Sequence, residues 1–211
     1  MNCQNNHKRI GIMGGTFDPI HMGHLILGEQ SFEQLHLDKV LFMPSGNPPH
    51  KRNRAGRASD GQRVDMVRLA IEDNPHFELS LAEMHETGYT YTYRTLEELK
   101  EQNPDTDYYF IIGADSLFTF DEWKKPARIC RACTLIVAVR DHASSDELNQ
   151  EIKRLSAEYE GHFTLLDTMN IDVSSHQIRS WVSEGKSLKY YVPDPVISYM
   201  KENGIYRKKE V

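Results

Sequence analysis

The sequence predicts an α/β fold class: a doubly wound parallel sheet with helices on both faces and a small C-terminal helical cap. Three observations carry that expectation. Short apolar runs at residues 39–44, 107–112 and 134–139 alternate with amphipathic helical stretches throughout the chain. The first apolar run closes on paired glycines that lead into a helical pattern. A central run then ends in Gly113-Ala114-Asp115, and ligands of open α/β sheets sit outside the carboxyl ends of strands. No internal repeat or low-complexity segment interrupts the pattern.

At 211 residues the chain suits one domain over 1–211, with about 174–211 as its helical portion. Its 39% hydrophobic and 27% charged residues are ordinary for a soluble globular protein. A net charge of −6 argues against a nucleic-acid binder that works by phosphate neutralisation. No apolar run approaches a membrane span, and the first seven residues are polar with no secretory core. The expected location is cytoplasmic, with no nucleic-acid or membrane partner. Three cysteines make no disulfide framework. Cys130 and Cys133 form a single C-x-x-C, for which buried packing competes with redox or metal work.

The organising stretch is residues 9–24. Ile10, Ile12 and Met13 run into Gly14-Gly15, then Thr16-Phe17-Asp18-Pro19-Ile20, then His21 and His24. Leu25, Ile26, Leu27, Phe32 and Leu35 follow at roughly helical spacing, giving strand, glycine turn, helix. Gly14 and Gly15 let the backbone approach a ligand and take conformations that a Cβ forbids. A helix opening near His21 aims free N–H groups and its positive dipole end at an anion, which is where phosphate binds. His21 and His24 share one side of the first turn, and each can donate to a phosphate oxygen. A plain turn with surface or metal-binding histidines is the competing reading, but no Cys or acidic partner is spaced to complete a structural zinc site. Neither the G-x-G-x-x-G fingerprint nor the Walker loop fits.

Gly14-Gly15-Thr16-Phe17-Asp18-Pro19-Ile20-His21-Met22-Gly23-His24 resembles the signature of the H-x-G-H nucleotidyltransferase superfamily. In this full form it is most similar to bacterial nicotinate mononucleotide adenylyltransferases. H-x-G-H alone is shared with class I aminoacyl-tRNA synthetases and other nucleotidyltransferases. The resemblance implies a Rossmann-like sheet, and substrates ATP and nicotinate mononucleotide with Mg²⁺. It also implies that Gly14, Gly15, Thr16, Phe17, His21 and His24 bind ATP.

Further along, residues 39–44 read as a buried strand ended by proline, which completes a right-handed crossover unit. The long loop at 45–59 holds Asn47-Pro48-Pro49-His50-Lys51. It reads as a solvated basic loop or a binding loop; its resemblance to the family's P-P-H-K implies that Lys51 contacts the nicotinate nucleotide. Val64, Val67 and Ile71 form the stripe of a packing helix capped by Ser59 or Asp60. Within it Arg63 and Met66 match the family's R-x-x-M, with a structural role. Residues 77–81 alternate as a strand.

At 91–95, Tyr91, Thr92 and Thr95 match the family's S-Y-T-x-D-T, while Arg94 stands where Asp is usual. The resemblance places Thr92 at the nicotinate nucleotide; helix capping is the plain alternative. Gly113 and Asp115 match the family's G-A-D at the ATP site, where Asp115 binds ribose or positions a magnesium water, or else caps a short helix at 116–120. Trp123 in the family's W-K implies an indole stacked on the nicotinate ring, with plain core as competitor. Arg140, ending the 134–140 run, is implied to face the same nucleotide.

Residues 146–159 read as an amphipathic helix closed by Gly161 at C′, and 162–166 as the last strand. Ile171-Asp172-Val173-Ser174-Ser175-His176-Gln177-Ile178-Arg179 resembles the family's I-S-S-T-x-I-R, with His176 in place of the usual Thr. Ser174, Ser175 and Arg179 at a helix start suit a triphosphate tail, against a plain Ser-Ser cap. Residues 190–204 resemble the family's closing Y-V-P helix, ended by Gly204.

Together these imply adenylyl transfer from ATP to nicotinate mononucleotide, giving deamido-NAD and pyrophosphate, with His21, His24 and Arg179 as catalytic residues and no covalent intermediate. Nicotinamide mononucleotide or pantetheine phosphate as acceptor, or a non-catalytic nucleotide sensor, are the alternatives. The partners are small molecules, and a homo-oligomer is left open.

Overall fold

The computed structural model describes residues 7–46, 56–84, 89–139, 145–169 and 171–207. Its centre is a six-stranded sheet in the order β3-β2-β1-β4-β5-β6. The strands are β1 (Lys8–Gly15), β2 (Lys39–Pro44), β3 (Phe77–Leu79), β4 (Thr106–Gly113), β5 (Thr134–Ala138) and β6 (Phe163–Leu166). Every neighbouring pair is parallel. The chain winds from β1 outward to β3, then returns to β4 on the other side of β1. This is the doubly wound α/β, Rossmann-like architecture expected from the alternating pattern.

The helices are α1 (Met22–Gln34), α2 (Asp60–Ile71), α3 (Thr92–Gln102), α4 (Ala114–Phe118), α5 (Pro126–Ala132), α6 (Ser145–Tyr159), α7 (Ser175–Ser183) and α8 (Asp194–Glu202), with a 3₁₀ turn at Phe120–Glu122. Successive strand side chains point to opposite faces, and the core divides accordingly. Met13, Ile111, Ile136 and Ala138 join a cluster with Met66 and Val67 of α2, Ile178 of α7 and Val196 and Met200 of α8. Ile12, Phe110, Ile112, Leu135 and Val137 join the other, with Leu96 of α3, Leu117 of α4, Ile129 of α5 and Leu148 of α6. Continuous apolar strands are thus covered on both sides, as parallel sheets require.

Local signals resolve as follows. Ser59 caps α2: its Oγ accepts from Gln62 N at 3.2 Å, and its own N–H donates to Gln62 Oε1 at 2.9 Å. The helix after β4 begins at Ala114 with Gly113 as its cap, two residues earlier than Asp115 as a cap requires, so Asp115 sits in the first turn. Thr92 likewise does not cap; Tyr91 holds that position. After α6 the left-handed residue is Glu160, φ 51°, and Gly161 is not the helix C′ glycine expected. Gly161 is small for another reason: a Cβ there would lie 2.7 Å from Cys130 Sγ. Cys130 and Cys133 are free and buried. Burial pushes the Cys130 thiol up to about 11 and raises Cys133 as well, so both pack as small apolar groups. No helix among the described residues is long and apolar enough to cross a membrane.

Candidate active site

The crevice follows from strand register. β1 and β4 pair as far as Met13 opposite Ile111. Beyond that point Gly14 and Gly15 pair with Met43 and Pro44 of β2, whereas Ile112 and Gly113 pair with Val137 and Ala138 of β5. The two central strands therefore part at their carboxyl ends, at the point where the winding reverses. Gly14, Gly15 and Gly113 border that opening, and Asp115 lies exposed just beyond it.

The glycines serve closeness, not a left-handed turn. Gly14 and Gly15 are the last residues of β1. A Cβ on Gly14 would stand 3.0 Å from the Phe110 ring, and one on Gly15 3.1 Å from the Phe17 ring. The positive φ of the turn falls on Phe17, at 49°. Phe17 tolerates it with its ring buried (2% exposed) against Phe42 and edge-on to His24. Thr16 follows the glycines, and its carbonyl accepts from Arg63 Nη1 at 2.7 Å. Arg63 is 1% exposed, and its Nη2 also donates to the Ser45 carbonyl and to Asp60. Its structural role is confirmed: it ties the turn after β1 to the end of β2.

His21 caps α1 and is 2% exposed, with the His24 ring stacked on it at 3.7 Å. A Cβ on Gly23 would press to 3.1 Å of the His21 ring, so the glycine within H-x-G-H makes room for the imidazole. His21 N–H donates to His24 Nδ1 at 3.2 Å. An accepting Nδ1 assigns the His24 proton to Nε2, a donor for an incoming anion. The helix start is less open than expected, because Met22 N–H already donates to the Tyr191 carbonyl at 2.9 Å.

The second motif meets the first. Ser174 caps α7, its Oγ accepting from Gln177 N at 3.2 Å. Ser175 Oγ donates to the Pro19 carbonyl at 2.8 Å, and Arg179 Nη1 to the Asp18 carbonyl at 2.7 Å. The Ser175 hydroxyl, expected on phosphate, is thus spent on the turn. Ser174 keeps a hydroxyl proton, and the first-turn amides of Ser175 and His176 lie outside the helix's own ladder.

Across the crevice Trp123 is half-buried, edge-on to Phe110 at 6.3 Å and tilted on Phe120 at 5.6 Å. Thr92 is the half-buried first residue of α3. Arg94 is exposed, its guanidinium within 6 Å of the Tyr91 and Tyr93 rings and Nε donating to Tyr93 Oη at 3.1 Å. Lys51, with the rest of 47–51, and Arg140 lie outside the described residues.

Sequence reasoning missed the Asp18 carboxylate. It is 3% exposed and accepts from Ala58 N, Arg57 Nε and Tyr206 Oη at 3.0, 3.1 and 2.7 Å. The only signal was its place inside the motif. The described residues hold no group of three His, Cys, Asp or Glu side chains fit for a metal ion.

Comparison with known proteins agrees with this geometry. Residues 12–180 match the family model described as cytidylyltransferase-like. A protein of Lachnoclostridium phytofermentans named "Probable nicotinate-nucleotide adenylyltransferase" is 42% identical over 199 residues, 94% of this chain and 99% of its own. One of the same name from Desulfitobacterium hafniense is 41% identical over 98% of this chain and all of its own length (100%). Among solved structures, the Plasmodium falciparum nicotinic acid mononucleotide adenylyltransferase complexed with NaAD superposes with a TM-score of 0.76. At 20% identity over 95% of this chain and 98% of that one, it shows the shared fold.

Proposed function

The chain belongs to the cytidylyltransferase-like family and to its nicotinate-nucleotide adenylyltransferases, and we propose on that premise how its crevice joins ATP to nicotinate mononucleotide. The products are deamido-NAD and pyrophosphate, a step of NAD biosynthesis. One observation carries the reading: Ser175 and Arg179 of α7 hydrogen-bond the Pro19 and Asp18 carbonyls, so both phosphate-binding motifs converge where β1 and β4 part.

A phosphate oxygen of the mononucleotide attacks the α-phosphorus of ATP in line, and the bond to the pyrophosphate oxygen breaks. The bonding pair leaves with pyrophosphate. No side chain need act as nucleophile, so the protein's part is positioning and charge stabilisation. His24 Nε2–H, beside His21 at the head of α1, donates to the phosphate oxygens that gain charge. The amides of Ser175 and His176, the Ser174 hydroxyl and the Arg179 guanidinium hold the β- and γ-phosphates. Gly14, Gly15, Thr16 and Phe17 floor the nucleotide, with Gly113 and Asp115 on its ribose side. Mg²⁺ would be held through phosphate oxygens and water, its donors of choice, and would supply charge neutralisation there. Asp115 is the described carboxylate suited to one of its waters.

Trp123 and Thr92 take the nicotinate nucleotide, with Lys51 and Arg140 completing its anion contacts. A flat heteroaromatic ring stacks on an indole held half-open, as Trp123 is. We take the reaction to run in the cytoplasm, where ATP and Mg²⁺ are both supplied. The test is pyrophosphate release with ATP and Mg²⁺, nicotinate and nicotinamide mononucleotides being offered in parallel. A strong preference for the acid is expected. Equal use of both acceptors makes the enzyme dual-specific, and release with neither overturns the acceptor assignment.

A further inference from the structure

The acceptor platform proposed for Trp123 depends on where one short turn is held. The place of the indole follows from two contacts. A Cβ on Gly14 would stand 3.0 Å from the Phe110 ring, and that ring meets Trp123 edge-on at 6.3 Å. One aromatic ring thus separates the indole from the glycine that borders the crevice.

Trp123 follows the 3₁₀ turn Phe120–Glu122, its N–H donating to the Phe120 carbonyl at 3.0 Å. On the inner side of the turn Phe120 is fully buried, tilted on Trp123 at 5.6 Å and edge-on to Tyr159 at 6.0 Å. Ring contacts of this kind tolerate a range of offsets and do not by themselves fix the turn. On the outer side, α6 holds Asp121 by both carboxylate oxygens. Oδ1 accepts from Tyr159 Oη and Oδ2 from Arg154 Nη2, each at 2.6 Å. Arg154 is braced along its own helix, with Nε donating to Glu151 at 3.0 Å and Nη1 to Glu158 at 2.6 Å. The Tyr159 hydrogen bond, with Arg154 second, holds the Asp121 carboxyl below its ordinary range, so it stays an anion that accepts from both. The helix itself is seated by Leu148 and Leu155, both buried in the core on this face of the sheet. A carboxylate gripped from two directions has its distance and its rotation set together. Because Asp121 and Arg154 are open to solvent, the grip tunes the turn and does not build the fold.

We propose that Asp121 and Tyr159 are positioning residues for the acceptor: with Arg154 they strap the turn to α6 and so fix where Trp123 presents its face to the nicotinate ring. The assignment rests on the acceptor reading of Trp123 above.

Steady-state deamido-NAD formation by variants of the full chain tests it. Asp121→Ala should raise the nicotinate mononucleotide KM about three- to fivefold, with kcat and the ATP KM within about twofold of wild type. Asp121→Asn keeps an oxygen that can accept and should recover part of the loss. Tyr159→Phe keeps the ring on Phe120, removes one hydrogen bond and should raise the same KM about twofold. In a Trp123→Ala background, Asp121→Ala should change the KM no further, because its effect passes through the indole. A wild-type acceptor KM in Asp121→Ala, beside a raised one in Trp123→Ala, overturns the strap and leaves the platform standing. A loss that persists without the indole, or that falls equally on ATP, overturns the strap as well. A wild-type KM in Tyr159→Phe removes Tyr159 from it. A wild-type KM in Trp123→Ala itself overturns the acceptor reading of the indole, and the positioning role with it.

Discussion

On the β1–α1 side of the crevice, Asp18, Arg63, Ser175 and Arg179 tie distant stretches together through hydrogen bonds between 2.6 and 3.1 Å. On the α3–α4 side, Trp123 and Arg94 rest on aromatic rings, and Arg94 is open to solvent. Arg128 adds a pairing with Glu97 and lies 4.5 Å over the Tyr93 ring. A buried polar network fully satisfied admits one geometry, whereas aromatic contacts tolerate sliding. On the proposed reading, the side that places phosphorus is the one built from the unforgiving interactions, and the side proposed to take the flat ring is built from the tolerant ones.

Breaking the first side should cost most. Arg63→Ala orphans the Thr16 and Ser45 carbonyls and is expected to destabilise the fold by about 3–5 kcal/mol, read from urea unfolding at unchanged slope. A loss under about 1 kcal/mol would mean that water replaces the guanidinium and the network is not what holds the turn.

The second side has a closed core of its own, and its thiols report on it. With Cys130 raised to about 11 from 9.0, the group stays protonated until the pH nears 11. Its thiolate fraction at pH 8 is then about 100-fold below that of an unshifted thiol. Alkylation of Cys130, followed by peptide mass mapping at pH 8, should be slower by about that factor and should accelerate as pH rises. Rapid labelling at pH 8 would show that the packing of Gly161 on Cys130 opens. The smallest effect is expected at Arg94. Its guanidinium lies over Tyr91 and Tyr93, so Arg94→Asp should leave the acceptor KM within about twofold. A larger change would place Arg94 in the acceptor site.

Much of this was legible in the sequence. Alternating apolar runs forecast the strands, and the sheet followed from them, because period and turn chemistry are local. The glycine–histidine stretch forecast the strand–turn–helix and the two facing imidazoles. Asp18 was different: its partners Ala58, Arg179 and Tyr206 are 40, 161 and 188 residues away, and no local period signals such contacts. The same blindness gave the Ser175 hydroxyl, and not only its amide, to phosphate, when that hydroxyl donates to the Pro19 carbonyl. Gly161 misled for the opposite reason. A glycine after a helix reads as a left-handed terminator, yet this one is small because Cys130 packs on it while Glu160 takes the positive φ. The paired glycines that end β1 misled in the same way, with Phe17 making the turn.

The division of labour across the crevice is tested most directly by steady-state kinetics of His24→Ala and Trp123→Ala in one assay. His24→Ala should lower kcat about 10²- to 10³-fold with the acceptor KM nearly unchanged, as expected when a donor to developing charge is removed. Trp123→Ala should raise the nicotinate mononucleotide KM about 2- to 10-fold and leave kcat within about threefold. The same pattern in both variants, whether a shared fall in kcat or a shared rise in KM, would contradict the account.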